Sequence, residues 1–364
     1  MSGTGVLMKF WSGISTTLVG IFLSCGYLES KVNALYPAQE KHQRLNLFKD
    51  ATEERVTFQS RESYDSDKKI SRHGILIKRP NAKATVLICH GFMCDKYDVS
   101  FLHMMFTQYN SMAFDFRGHG DDKDDQYCTL GRNESYDVIA AAEFLRNHPE
   151  LKGTPLIVYG FSMGAAAAIV AQAGNPKLFD AMILDCPFDS SDKLLDRGMS
   201  QLKINVFGYK VPLPGSQLLK SYAYSPYVQS LLKSILRTFT QFSAESMQVN
   251  FKPVYPEEAI KYVDIPCLFI ACVNDTKSPE EAVLSVYNGA KGFKRCWIDP
   301  DGRRHYDTIF RQTLRYFYKV AIFIEKVLDG SYKNKVQAKV KKDRPYCVIT
   351  CAKKIAPVIH SAKI

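Results

Sequence analysis

The stretch Leu156-Ile157-Val158-Tyr159-Gly160-Phe161-Ser162-Met163-Gly164 runs an apolar, β-branched segment into Gly-x-Ser-x-Gly, and the alanine run 165–168 follows it. A strand that turns sharply into a helix at this serine pushes its Oγ clear of the backbone, and glycine on either side leaves room for neighbouring chain. The chemistry open to such a serine is acyl transfer, in which the hydroxyl attacks a carbonyl and the acyl group later passes to water or another acceptor. A free hydroxyl is a poor nucleophile. The corner is therefore useful only beside a base and a pair of donors that hold an oxyanion.

Elements able to position such a site recur along the chain. From residue 84 onward, short apolar runs at 85–89, 111–115, 156–160, 181–185, 265–273 and 294–298 read as strands, with helices predicted over 135–147, 163–173 and 306–328. Strands alternating with helices imply right-handed crossovers and a parallel sheet covered on both faces. The expected fold class is α/β, with a mostly parallel central sheet, helices on both faces and a cap insertion. That insertion occupies about 188–258, where the rhythm breaks and aromatics such as Phe188, Phe207, Tyr224, Phe251 and Tyr255 accumulate without a clear strand. An insertion after a strand and before the next lies over the carboxyl ends of the sheet, where ligands bind. Residues 29–74 are polar, with alternation at 55–58 and 74–78 suited to edge strands of a hairpin. The main domain is thus expected over 75–330.

His90-Gly91-Phe92 after one apolar run, Asp115-Phe116-Arg117-Gly118-His119-Gly120 after the next, and Gly-Phe-Ser-Met-Gly after a third together resemble the α/β-hydrolase superfamily. Within it the pattern is similar to the monoglyceride-lipase-like and prolyl-oligopeptidase-like branches, over roughly residues 75–328. The resemblance implies an oxyanion hole formed by the backbone N–H groups of Phe92 and Met163. The Gly-Gly-Gly extension of some esterases is missing, so esters of bulky tertiary alcohols are not expected substrates.

In such folds the acid and the histidine follow the serine in chain order, each on a loop at the carboxyl end of a strand. The run 266–273 leads into Asn274-Asp275-Thr276-Lys277-Ser278, and the run 294–298 leads into Asp299-Pro300-Asp301-Gly302-Arg303-Arg304-His305. Asp275 would fix the imidazole tautomer and His305 would take the serine proton, with Asp185, Asp189 and Asp301 as rival acids. His90 is expected to order the oxyanion turn and His119 to pack beneath the site. His42, His73, His103, His148 and His360 read as surface or core positions. No cofactor is implied: no cluster shows metal-ligand spacing, and the acidic run at 121–125 lacks the terminal Glu of a Ca²⁺ loop.

Charge sets the remaining bounds. The net charge is +11, of which the segment 331–364, with nine Lys/Arg and one acid, carries +8. A near-neutral body argues against nucleic acid, which asks for a basic stripe on a folded surface. The tail is expected to be flexible, and Cys347 and Cys351 within it lack the partners of a metal site. Cys89, Cys186, Cys267 and Cys272 sit in or beside apolar runs and read as buried thiols rather than disulfides. Residues 10–28 carry no charge and leave three readings open: a cleaved signal, a membrane anchor, or a lipoprotein signal ending at Cys25. Lys31, Lys41, Arg44 and Lys49 beyond this segment outnumber Lys9 before it, which would keep the body on the cytoplasmic side of a membrane.

The expected activity is serine-dependent cleavage of an acyl ester, lipid-like or small. The same residues would serve a thioesterase, a peptidase or an acyltransferase. From another class, the chain would be a membrane-bound binding protein that keeps the fold without turnover.

Overall fold

Apolar runs of five or six residues, too short for helices and bounded by turn residues, form the centre of one eight-stranded sheet in the computed structural model. The structure describes residues 51–121, 126–200, 203–206, 209–212, 224–225 and 249–333. The hydrophobic segment 10–28, Cys347, Cys351 and the basic tail beyond residue 333 lie outside the described residues. Among the described residues, no helix is long and apolar enough to cross a membrane.

The elements, in chain order, are β1 (Thr52–Ser63), β2 (Ser66–Lys78), β3 (Thr85–Cys89), β4 (Asn110–Phe114), α1 (Glu134–Asn147), β5 (Leu156–Phe161), α2 (Met163–Gly174), β6 (Ala181–Asp185), α3 (Ser191–Ser200), β7 (Lys203–Val206), β8 (Tyr209–Pro212), α4 (Pro256–Ala259), β9 (Cys267–Cys272), α5 (Glu280–Gly289), β10 (Lys294–Asp299), α6 (Thr308–Arg311) and α7 (Thr313–Leu328). The strand order is β1-β2-β4-β3-β5-β6-β9-β10. The hairpin β1–β2 is antiparallel and joins the sheet antiparallel to β4, and every other pairing is parallel. β3, β4, β5, β6 and β9 are buried along their whole lengths, as strands covered on both faces must be.

Alternate residues of each strand feed two cores. Leu87, Met112, Val158, Leu184 and Phe269 meet α1 and α2 on one face, through Val138, Leu145 and the alanines of α2. Val86, Ala113, Ile157, Ile183 and Ile270 face the other way and meet Leu102, Phe106, Val320 and Ile324. The alanine run lets α2 lie close on the sheet, which steadies the corner at its start. After β6 the chain leaves the sheet and returns at β9. The described part of that excursion is α3, the small antiparallel hairpin β7–β8, and a return segment whose Phe251 and Val254 cluster with Phe188 and Leu194. The region expected to lack strands thus contains a hairpin of two four-residue strands, too short to show a period of two in the sequence.

Burial of ionisable groups in the second core gives a testable pH dependence. His103, on the 3₁₀ turn Ser100–Met104, is fully buried with Nδ1 2.7 Å from Ser111 Oγ. Burial, with Arg79 nearby, pushes its pKa down to about 3. The folded value lies below the unfolded one, so its contribution is present above about pH 6.5 and is lost as the pH falls. Urea denaturation of the parent and of His103→Leu should show the parent losing on the order of 2 kcal/mol more between pH 7.5 and 5. Equal losses would contradict a neutral buried imidazole.

Candidate active site

Ser162 sits between β5 and α2 with φ 52° and ψ −112°, a left-handed conformation that a non-glycine residue holds only under constraint. The constraint is visible. Ser162 N–H donates to the Asp185 carbonyl at 2.9 Å, and its own carbonyl accepts from Ala166 N–H at 3.1 Å. A Cβ on Gly160 would lie 2.7 Å from Ala165 Cα, and one on Gly164 would lie 2.2 Å from the Cys89 carbonyl oxygen. Both glycines are therefore sterically required. Phe161 and Met163 are buried while Ser162 between them is only partly so, which leaves the serine as the accessible point of the corner.

Gly164 also presses the start of α2 against the end of β3, since its missing side chain would equally meet the His90 carbonyl oxygen at 2.5 Å. This contact brings together the two segments that carry the Phe92 and Met163 backbone N–H groups. Met163 is the first residue of α2, so its N–H has no acceptor within the helix. The loop after β3 is drawn over the sheet by several groups. A Cβ on Gly91 would lie 2.5 Å from the Phe161 ring, and Cys94 N–H donates to the Gly91 carbonyl at 3.2 Å. Buried Lys96 donates through Nζ to Asp115 (2.5 Å) and Asp121 (2.6 Å). His90 donates from Nδ1 to its neighbour's carbonyl, Gly91, at 2.8 Å and accepts Phe116 N–H at Nε2 at 3.1 Å, an assignment made from the partners. Burial, and then His119 beside it, hold its pKa well below the ordinary imidazole value, so it is neutral and acts as a strut. The Asp115–Gly120 motif is likewise scaffolding: a Cβ on Gly120 would fall 2.2 Å from the Asp115 carboxyl carbon.

Asp275 and His305 come from loops at the ends of β9 and β10. Gly302 packs so tightly on the end of β9 that a Cβ there would lie 2.7 Å from Cys272 Cβ, and Asn274 N–H donates to the Gly302 carbonyl at 3.0 Å. Asp275 is buried, with Oδ1 accepting from the N–H groups of Lys277 (2.8 Å) and Ser278 (3.0 Å) and Oδ2 2.6 Å from His305 Nδ1. Burial alone would raise its pKa. The imidazole beside it and the backbone donors outweigh that and hold it below the ordinary carboxylate value. A carboxylate only accepts, so the proton is on Nδ1 and Nε2 has a free lone pair. Nε2 is buried and, among the described residues, has no hydrogen-bond partner. The imidazole lies 5.2 Å from the ring of Phe161, the residue before Ser162.

None of the rival acids bonds to the imidazole. Asp189 holds Arg197 through two bonds (2.8 and 3.2 Å), Asp185 lies in a tyrosine network, and Asp301 is exposed. Spacing gave no sign of Arg197, whose Nε also donates to the Lys277 carbonyl at 3.1 Å and so steadies the Asp275 loop from α3. Cys186, at φ 47°, was read only as a buried thiol. Its sulfur, an Asp275 oxygen and a His305 nitrogen lie within 4.8 Å of one another. Ligands around a tetrahedral metal ion stand more than 3 Å apart, whereas Nδ1 and Oδ2 are at 2.6 Å, a distance that fits a shared proton.

Residues 80–226 match the family described as serine aminopeptidase, S33. No curated protein matches the sequence. Among solved structures, an esterase of Pyrococcus furiosus is similar, with 23% identity and a TM-score of 0.55 over 77% of this chain and 93% of that one. A hypothetical protein from Pseudomonas aeruginosa aligns with 15% identity and a TM-score of 0.55, over 76% and 94% of the two chains. A lipase-esterase related protein from Clostridium acetobutylicum aligns with 17% identity and a TM-score of 0.50, over 69% and 99%. At these identities the likeness is one of fold.

Proposed function

We propose that the chain, whose fold is that of the α/β-hydrolases and whose residues 80–226 match a family of that kind, is a serine hydrolase that cleaves acyl esters through Ser162, His305 and Asp275. The observation that carries this reading is the buried Asp275–His305 pair, 2.6 Å apart, set beside the strained corner that presents Ser162. His305 Nε2 takes the Ser162 proton as Oγ bonds to the acyl carbon. The N–H groups of Phe92 and Met163 hold the resulting oxyanion, and the imidazolium returns its proton to the departing alkoxide. Water, deprotonated by the same nitrogen, then releases the acid and restores the serine.

An apolar acyl group is favoured by the surroundings of Phe92. Its ring meets Phe251 at 5.8 Å and His119 at 5.9 Å, and Phe188, Leu194 and Val254 extend the apolar cluster. The match to a family described as an aminopeptidase supports a second reading, cleavage of an aminoacyl amide. One experiment separates the two. The full chain is tested on p-nitrophenyl esters of two to twelve carbons and on aminoacyl p-nitroanilides, with fluorophosphonate labelling as the count of active sites. The expected result is ester turnover with kcat/KM rising along the chain series. Preference for the anilides would transfer the reading to a peptidase, and absence of labelling in a folded protein would overturn both.

A further inference from the structure

Three tyrosines and an aspartate lie buried behind the histidine loop, and the proposed mechanism uses none of them. Tyr159, Tyr306, Tyr316 and Asp185 are each at most 1% exposed. Tyr159 Oη is 2.9 Å from Tyr306 Oη and 2.9 Å from Tyr316 Oη. Tyr316 donates to Asp185 Oδ2, from which Tyr159 Oη is 3.3 Å away. Each phenol has one proton, and a carboxylate can only accept. Because the Tyr316 proton goes to Asp185, Tyr159 donates to Tyr316, and Tyr306 in turn donates to Tyr159. The chain runs in one direction, from the residue after His305 to a buried carboxylate, and each bond polarises the next.

The backbone gives the chain its purpose. Tyr306 has φ 63°, an uncommon conformation for a bulky side chain, and it turns consecutive residues to opposite sides. His305 points to Asp275, while the Tyr306 ring stacks on Phe161 with centroids 3.8 Å apart and an interplanar angle of 27°. Tyr306 therefore meets β5 twice, through its ring at Phe161 and through its hydroxyl at Tyr159, on the strand that ends in Ser162. β6 is tied in as well, because the Asp185 carbonyl accepts the Ser162 N–H at 2.9 Å while its carboxylate ends the chain.

We propose that Tyr306 is a positioning residue for His305, and that the hydroxyl chain through Tyr159 and Tyr316 to Asp185 fixes the Nε2 side of the imidazole relative to Ser162. The proposal rests on the serine hydrolase reading of the site. Asp185, a rival for the acid's place when only spacing is considered, is in this account the buried anchor of the base's loop.

The test compares Tyr306→Phe, Asp185→Asn and the double variant with the parent, in the full chain, on the best p-nitrophenyl ester. Tyr306→Phe keeps the ring stack and removes one hydroxyl. The expected result is a roughly three- to tenfold fall in kcat in each single variant, with KM within about twofold and the fluorophosphonate labelling rate falling in step. Because the two act through one chain, the double variant should lose little more than the worse single variant. Tyr109→Phe is the control. It removes a partly buried hydroxyl bonded to Glu325 at 2.8 Å, away from the site, and should cost stability while leaving kcat intact. Should Tyr306→Phe not fold, Tyr316→Phe interrupts the chain at its far end and carries the same expectation. Ser162-dependent turnover that stays at full kcat in the chain variants, or multiplicative losses in the double variant, would overturn the proposal alone. Turnover or labelling that Ser162→Ala leaves unchanged would overturn the hydrolase reading itself.

Discussion

Ser162→Ala is expected to lower kcat on acyl esters by at least about 10⁴-fold and to abolish fluorophosphonate labelling, with little change in stability. The size follows from the division of labour at the corner. On the proposed mechanism no acyl intermediate forms without Oγ, and what survives is the acceleration that the oxyanion donors and binding would give to attack by water. Stability should hold because alanine is smaller than serine and the hydroxyl is not part of the packed corner; the strain at φ 52° is held by Gly160, Gly164 and two backbone hydrogen bonds. Steady-state rates on a chromogenic ester, with urea denaturation alongside, check both halves. A variant that keeps more than a hundredth of parental turnover would place the nucleophile elsewhere.

Asp275→Asn should cost about 10³- to 10⁴-fold in kcat although the new side chain has almost the same shape. The reason lies in the donors around the carboxylate. Oδ1 accepts from the N–H groups of Lys277 and Ser278, and an amide must keep its oxygen there. Its NH₂ is then turned toward His305 Nδ1. Two donors cannot face each other, so the imidazole moves its proton to Nε2 and presents an N–H to Ser162 where a lone pair is needed. Asp189→Asn and Asp301→Asn are the comparisons, each expected to stay within about tenfold of the parent because neither carboxylate touches the imidazole. Equal losses from Asp275→Asn and Asp301→Asn would remove Asp275 from the acid's role.

The central sheet was legible because strands buried on both faces are nearly all apolar. The expected strands 85–89 and 181–185 coincide with β3 and β6, and the other four apolar runs differ from β4, β5, β9 and β10 by one or two residues at one or both ends, whereas the alternating segments 55–58 and 74–78 cover only parts of β1 and β2. Segments whose fate depends on distant partners were less legible. The helix expected over 306–328 is two helices, α6 and α7, because Gln312 leaves helical geometry at φ −124° and ψ 42° while its side chain reaches Asp299 Oδ1 at 2.5 Å. α5, which starts directly after Pro279 and ends at Gly289, is absent from the helices expected from the sequence. At the site, Ser162 and His305 announced themselves by local pattern. Asp275 was put ahead of Asp185, Asp189 and Asp301 by its place after a strand, but the packing of Gly302 on Cys272 that accompanies its contact with the imidazole left no mark in the sequence. The tyrosine chain had no local signature, since residues 159, 185, 306 and 316 meet only after the strand order puts β5 beside β6.

Arg197 has a consequence for redesign. It stands on α3, the first helix of the excursion between β6 and β9, yet grips Asp189 and the Lys277 carbonyl and so belongs mechanically to the loop of the proposed acid. Phe251 and Val254 on the returning side do the same for the apolar wall around Phe92. Anyone exchanging this excursion for a foreign one, to give the protein a new appetite, should therefore splice between residues 200 and 249. A junction at 188 would discard the brace together with the part meant for replacement, and a chimera built that way would confound altered selectivity with a loosened acid.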